Sequence, residues 1–310
     1  MVKTRIRDFI ITKENWIFAV ADYFHPDGIR SVLRYVPDET GDRKLNKIRY
    51  RKYDFDDAFQ FMRSNRPEWV EDVHIVPEDQ VKQILTPPER IPFLVQNDER
   101  VKYIVNNLKS AGVPESCMGV TGSMLLGLQK SSSDIDFVVY GNAWFDARRA
   151  LISAKSRGET IEDISEEMWK FIYNKRKPEL SFEEFIVHEK RKGNRGMVQG
   201  TYFDLLFVRD WSQIKEPIKR GTDLGYMEIK ARVTNSDLAF DSPSVYMIDH
   251  NEIDHVLSYT HTYSGQVIEG EIMNARGMVE QVGDIKRLVV GTSREPEGEW
   301  IRSLTLLEGK

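Results

Sequence analysis

The sequence predicts a chain of mixed α/β and α+β class in three parts: an N-terminal α+β region at 1–92, a central block of helices and strands at 93–222, and a C-terminal β-rich, barrel-like region at 223–310. Three observations predict it. Between 98 and 110, Val101, Ile104, Val105 and Leu108 recur on one helical face, whereas Met227, Ile229, Ala231 and Val233 alternate with polar neighbours, as a half-buried strand requires. At 86–92, three prolines in seven residues read as a loop and a boundary, because proline continues neither a helix nor a central strand. A length of 310 residues can bury two or three cores.

The elements follow in order. Strands at 15–23 and 29–36 flank His25-Pro26-Asp27-Gly28, a turn signal, and so predict a hairpin. Its aromatic residues Trp16, Phe18, Tyr23 and Phe24 serve either its core or base stacking. A helix is expected at 54–62, a short strand at 73–76, and a proline-started helix from Pro77 through 80–85. The central block opens with the helix at 98–110. A short strand, the Gly122-Ser123 turn, an apolar helix and a strand at 135–140 come next; helices at 144–156 and 164–175 and a strand at 201–208 complete it. Further strands are expected at 244–248, 255–262, 266–275 and 288–291.

Composition narrows the function classes. Hydrophobic residues make up 40% of the chain and charged residues 30%, as in a globular protein, and the apolar runs fall far short of the roughly 20 residues of a membrane span. The start of the chain lacks the apolar core of a secretion signal. The single cysteine, Cys117, excludes an intrachain disulfide and a thiolate-rich zinc site, and fits a reducing compartment, so a cytoplasmic protein is expected. The net charge of -5 argues against a generic nucleic-acid coat. Residues 170–200 nevertheless hold eight Lys and Arg against four Glu, so a polyanion would meet this stretch first. Its last part, 190–196, is readable as a solvated loop or as a phosphate grip through Lys192 and Arg195. The six histidines lack tight ligand spacing except His255 and His261, which sit in a strand-like run and read as surface or core residues instead of a zinc site.

The chemistry concentrates between 118 and 140. Asp134 and Asp136 stand two apart at the head of an apolar strand, so their side chains leave the same face of the sheet. Like charges so placed repel unless a cation lies between them, and magnesium takes one or two carboxylates together with phosphate oxygens and water. Asp204 is a lone acid in the apolar strand at 201–208, a costly placement without a partner, a proton or a metal. If its strand lies beside that of Asp134, the three complete a carboxylate cage. Gly122 lets the backbone approach a phosphate closely, and the Ser123 hydroxyl donates to it. Asp210 follows the apolar run and reads as a cap for a helix at 211–212.

A Gly-Ser pair, Asp-x-Asp in a strand about ten residues on, and a distant acid in a second apolar strand resemble the polymerase-beta nucleotidyltransferase superfamily, and within it an uncharacterised family of predicted archaeal nucleotidyltransferases. The likeness covers 97–212. It implies a mixed sheet flanked by helices, two magnesium ions (manganese as a substitute), and transfer of a nucleoside monophosphate from a nucleoside triphosphate with pyrophosphate leaving. It also implies that Gly122 and Ser123 bind phosphate, that Asp134 and Asp136 are the metal pair, and that Asp204 is the third acid beside the incoming hydroxyl. The long separation of Asp136 from Asp204 departs from the most compact members. An RNA end is the expected acceptor. A nucleotide-binding regulatory module with little turnover is the alternative.

Overall fold

The computed structural model describes residues 3–158, 160–293 and 297–309. The chain divides into two compact units, Met1–Glu162 with Gly196–Pro217, and Asp163–Arg195 with Ile218–Lys310. The stretch 163–195, expected within the central block, thus groups with the C-terminal strands.

The first unit begins with a twisted sheet: β1 (Phe9–Thr12), β2 (Ile17–Val20), β3 (Ile29–Pro37), β4 (Arg43–Leu45) and β5 (Ile48–Lys52), then α1 (Phe55–Asn65), β6 (His74–Val76) and β7 (Val81–Leu85). Its strand order is β4-β5-β3-β2-β1-β7, with β6 also paired to β3. The expected hairpin is the antiparallel β2–β3 pair. Its aromatic residues do core work: Phe18 is fully buried with Leu33, Met62 and Trp69 beneath α1, and Trp16 packs edge-on against Phe61.

Two expectations fail here. Residues 81–85 form a strand instead of a proline-started helix, since they pair antiparallel with β1 at the sheet edge; only Glu78–Gln80 makes a 3-10 turn. The proline cluster is not a loop either. Pro87 and Pro88 open a 3-10 turn at Pro87–Arg90, and Pro92 lies in the first turn of α2 (Ile91–Asn97), where a missing N–H costs nothing.

From α3 (Glu99–Ser110), capped by the Asp98 carboxylate, the chain runs through β8 (Met118–Val120), α4 (Gly122–Leu126), β9 (Ile135–Tyr140), α5 (Ala143–Ser156) and β10 (Ile161–Glu162). After the excursion into the second unit it returns. Strands β11 (Arg195–Val198) and β12 (Thr201–Val208) complete a sheet of order β10-β11-β12-β9-β8. β12 is parallel to β9 and β8 is antiparallel, so the sheet is mixed, as the resemblance implied. Its two faces divide the apolar residues: Trp144 of α5 packs on Phe207 and donates to the Leu205 carbonyl, while Val138, Tyr140, Leu206 and Val208 pack on Ile6 and Tyr23. Asp210 caps the 3-10 turn Trp211–Gln213 through a capping box, as expected.

The second unit holds α6 (Glu166–Arg176) and α7 (Phe182–Lys192), β13 (Thr222–Asn235), β14 (Ser244–Asp249), β15 (His255–Ser258), β16 (Ile272–Val282), β17 (Ile285–Val290), β18 (Trp300–Ser303) and α8 (Leu304–Glu308). The order β13-β14-β15-β17-β16 closes through a β13–β16 pairing, giving the expected barrel. Ile229, Ala231 and Val233 are buried along β13, with Tyr246 and Leu288 among the other buried residues of the unit.

Candidate active site

β9 and β12 run parallel in a register that sets Asp204 directly opposite Asp136. Facing residues on paired strands lie about 5 Å apart and point the same way, so two carboxylates stand side by side at the head of the sheet. Two features of the pair have physical consequences. Burial first, then the Asp204 charge, raise the Asp136 pKa from its ordinary 3.8 to about 6, against a lowering influence of Arg7. Asp204 is in turn fixed by Tyr202, whose hydroxyl donates to Oδ2 at 2.9 Å from the same face of β12.

The Gly122 turn closes over this pair. Gly122 has a φ of 65°, and a β-carbon there would lie 2.5 Å from the nearer Asp136 carboxylate oxygen. Glycine is therefore required twice, by backbone conformation and by the close approach. The preceding residue anchors the turn: the Thr121 amide donates to the Asp136 carbonyl, and its hydroxyl donates to the Arg7 carbonyl at 2.6 Å. Arg7 itself has a φ of 75°, a strained conformation for a side-chain-bearing residue. Sequence reasoning missed Arg7 and Thr121, which meet only when the two sheets come together, and Tyr202, although it stands two residues from Asp204 on the same strand face.

Asp134 precedes β9 on an exposed turn and contributes to the field that raises Asp136. That turn is tied to the first sheet: Arg43 donates to the Leu128 carbonyl at 2.9 Å, and Lys130 pairs with Asp42. Among the described residues no three His, Cys, Asp or Glu side chains converge closely enough to grip an ion. The structure thus brings Asp136 and Asp204 together and leaves Asp134 at the rim. The donor set still fits a hard divalent cation: two adjacent oxygen ligands, one held ionisable only at cost, beside backbone with no side chain in the way.

Lys192 ends α7, and Arg195 opens β11, the neighbour of β12 in the sheet that carries Asp204. Both are buried, so the segment is not a solvated loop, and α7 stops at Gly193 in the left-handed conformation. Lys192 pairs with the buried Glu189 at 2.5 Å and donates to the Thr262 carbonyl, and Arg195 pairs with the same carboxylate. Of the histidines, His74 and His188 are packed inside, and burial lowers each to about 4.

Residues 101–195 match the nucleotidyltransferase domain family, a span that includes Gly122, Ser123, Asp134 and Asp136 and ends before Asp204. An uncharacterized protein of Methanocaldococcus jannaschii is 40% identical over 97% of this chain and 99% of its own length. The chain belongs to the nucleotidyltransferase family. No solved structure matches it. Since the matched span stops short of Asp204, the association of that acid with Asp136 rests on the β9–β12 register. No helix among the described residues is long and apolar enough to cross a membrane.

Proposed function

We propose that the chain moves a nucleoside monophosphate from a nucleoside triphosphate to a hydroxyl acceptor, with Asp136 and Asp204, joined by Asp134 from the rim, as ligands for magnesium. The observation that carries the reading is the facing of Asp136 and Asp204 beneath Gly122. The acceptor oxygen forms a bond to the α-phosphorus, the bond from that phosphorus to the bridging oxygen breaks, and pyrophosphate leaves. When bound, divalent ions neutralise the triphosphate and make the hydroxyl a better nucleophile.

The chain's own residues do the rest. Gly122 admits a phosphate against bare backbone, and the Ser123 hydroxyl donates to one of its oxygens. Asp204, oriented by Tyr202, takes the proton of the attacking hydroxyl. An RNA end is the acceptor class proposed.

The test is incubation with magnesium, each α-labelled triphosphate and a panel of acceptors including total RNA, with Asp136→Asn as control. Label on an acceptor, abolished by the substitution, is expected. Triphosphate binding with no transfer to any acceptor would favour a regulatory module instead.

A further inference from the structure

The first sheet carries cations that the reading above leaves unused, and their placement follows from one irregularity in it. β2 and β3 pair as Ile17↔Tyr35 and Phe18↔Leu33, so Arg34 is an extra residue without a β2 partner. A bulge of this kind puts two successive side chains on one side of the strand and re-aims them. Leu33 and Phe18 pack under α1, whereas Tyr35 and Ile17 pack on Leu125, Leu126 and Leu128, at and just beyond α4. Arg34 exerts its field on Tyr35 and on Lys52, which places it with Tyr35 on the side that meets α4.

β5 adds a second cation there. Lys52 is the register partner of Tyr35 on β3, so its side chain leaves the same face. Arg43 of β4 completes the group, bonded to the Leu128 carbonyl just past α4. Asp136 exerts its field on both Tyr35 and Lys52, which puts this face within electrostatic reach of the carboxylate pair. Burial, then Arg34 and Arg43, lower the Lys52 ammonium below its usual range, against the opposing pull of Asp54 and Asp136. Among the described residues, Arg34 and Lys52 have no carboxylate within ion-pair distance, whereas Arg43 lies beside Asp42.

We propose that Arg34 and Lys52, backed by Arg43, form a wall of the nucleotide site that holds the polyphosphate tail of the triphosphate. The inference rests on the nucleotidyl-transfer reading and adds to it a specific role for the N-terminal sheet. The tail carries several negative charges, and a guanidinium fork with an ammonium opposite the Gly122-Ser123 turn grips its outer oxygens from the side away from the sheet acids.

The experiment compares the full-length chain with Arg34→Gln, Lys52→Gln and the double variant, measuring magnesium-dependent binding of inorganic tripolyphosphate, ATP, AMP and a single-stranded RNA. Both residues lie outside the buried core, so the variants should fold, which an unchanged melting temperature checks. Tripolyphosphate and ATP affinity should fall roughly tenfold or more in the double variant with AMP and RNA affinity held, and the triphosphate KM should rise more than kcat falls. Wild-type ATP and tripolyphosphate affinities retained by the double variant would overturn the proposal while leaving the transfer reading intact. Loss of RNA affinity alone would overturn it by giving the cations to the acceptor. Wild-type protein that binds none of the phosphate compounds, with or without magnesium, would remove both this proposal and the reading beneath it.

Discussion

Asp136 carries an electrostatic cost in the folded chain. Its pKa of about 6 lies above the ordinary 3.8, so the native state binds a proton more tightly than the unfolded chain does, and stability falls as pH rises through that window. In chelator, Asp136→Asn should therefore stabilise the protein at neutral pH by up to about 3 kcal/mol, at ~1.4 kcal/mol for each tenfold difference in proton affinity, and the gain should fade toward pH 4. Thermal melts across pH check this; a variant less stable than wild type at pH 7.5 contradicts it. Magnesium should reverse the order by stabilising only the wild type. At Gly122, alanine meets both a left-handed backbone and the Asp136 carboxylate, so Gly122→Ala should cost about 1–3 kcal/mol and nearly all transfer, read by denaturation and label incorporation. Tyr202→Phe removes one donor from Asp204 and should lower turnover about tenfold with triphosphate KM unchanged.

Among the elements, the pieces with strong periodicity or short-range chemistry were legible in the sequence. The α3 face, the β2–β3 hairpin, the β9 and β12 strands and the Asp210 cap all follow from spacing and turn residues. Residues 81–85 were not, because a five-residue run after a proline turn carries no period long enough to separate strand from helix, and pairing with β1 decided it. The segment around Lys192 and Arg195 reads as a solvated loop or a phosphate grip because charge density is visible in sequence while the partner carboxylate is not distinguished from its neighbours. Glu189 sits three residues before Lys192 on α7, and both are buried. Removing Glu189 leaves those cations without their carboxylate, so Glu189→Met should cost about 3–5 kcal/mol in urea titrations; a change under about 1 kcal/mol would show the network to be dispensable. The Arg34 bulge was equally hidden, since a register shift leaves no mark on composition.

At the scale of the whole molecule, the candidate site lies within one compact unit made of two sheets. The N-terminal region packs on the catalytic sheet through Ile6 and Tyr23, anchors the Gly122 turn through the Arg7 carbonyl, and ties down the loop before Asp134 through Arg43 and Asp42. Residues 1–92 thus frame the candidate site, and the family match over 101–195 does not reach them. The account as a whole depends on Asp136 and Asp204 acting together on a divalent ion in the presence of a triphosphate. Manganese binding followed by electron paramagnetic resonance, with and without ATP, tests this most directly on wild type, Asp136→Asn and Asp204→Asn. Tight, ATP-enhanced manganese binding by the wild type, weakened at least roughly tenfold in each variant, is the predicted result. Equal manganese affinity in all three proteins would contradict it.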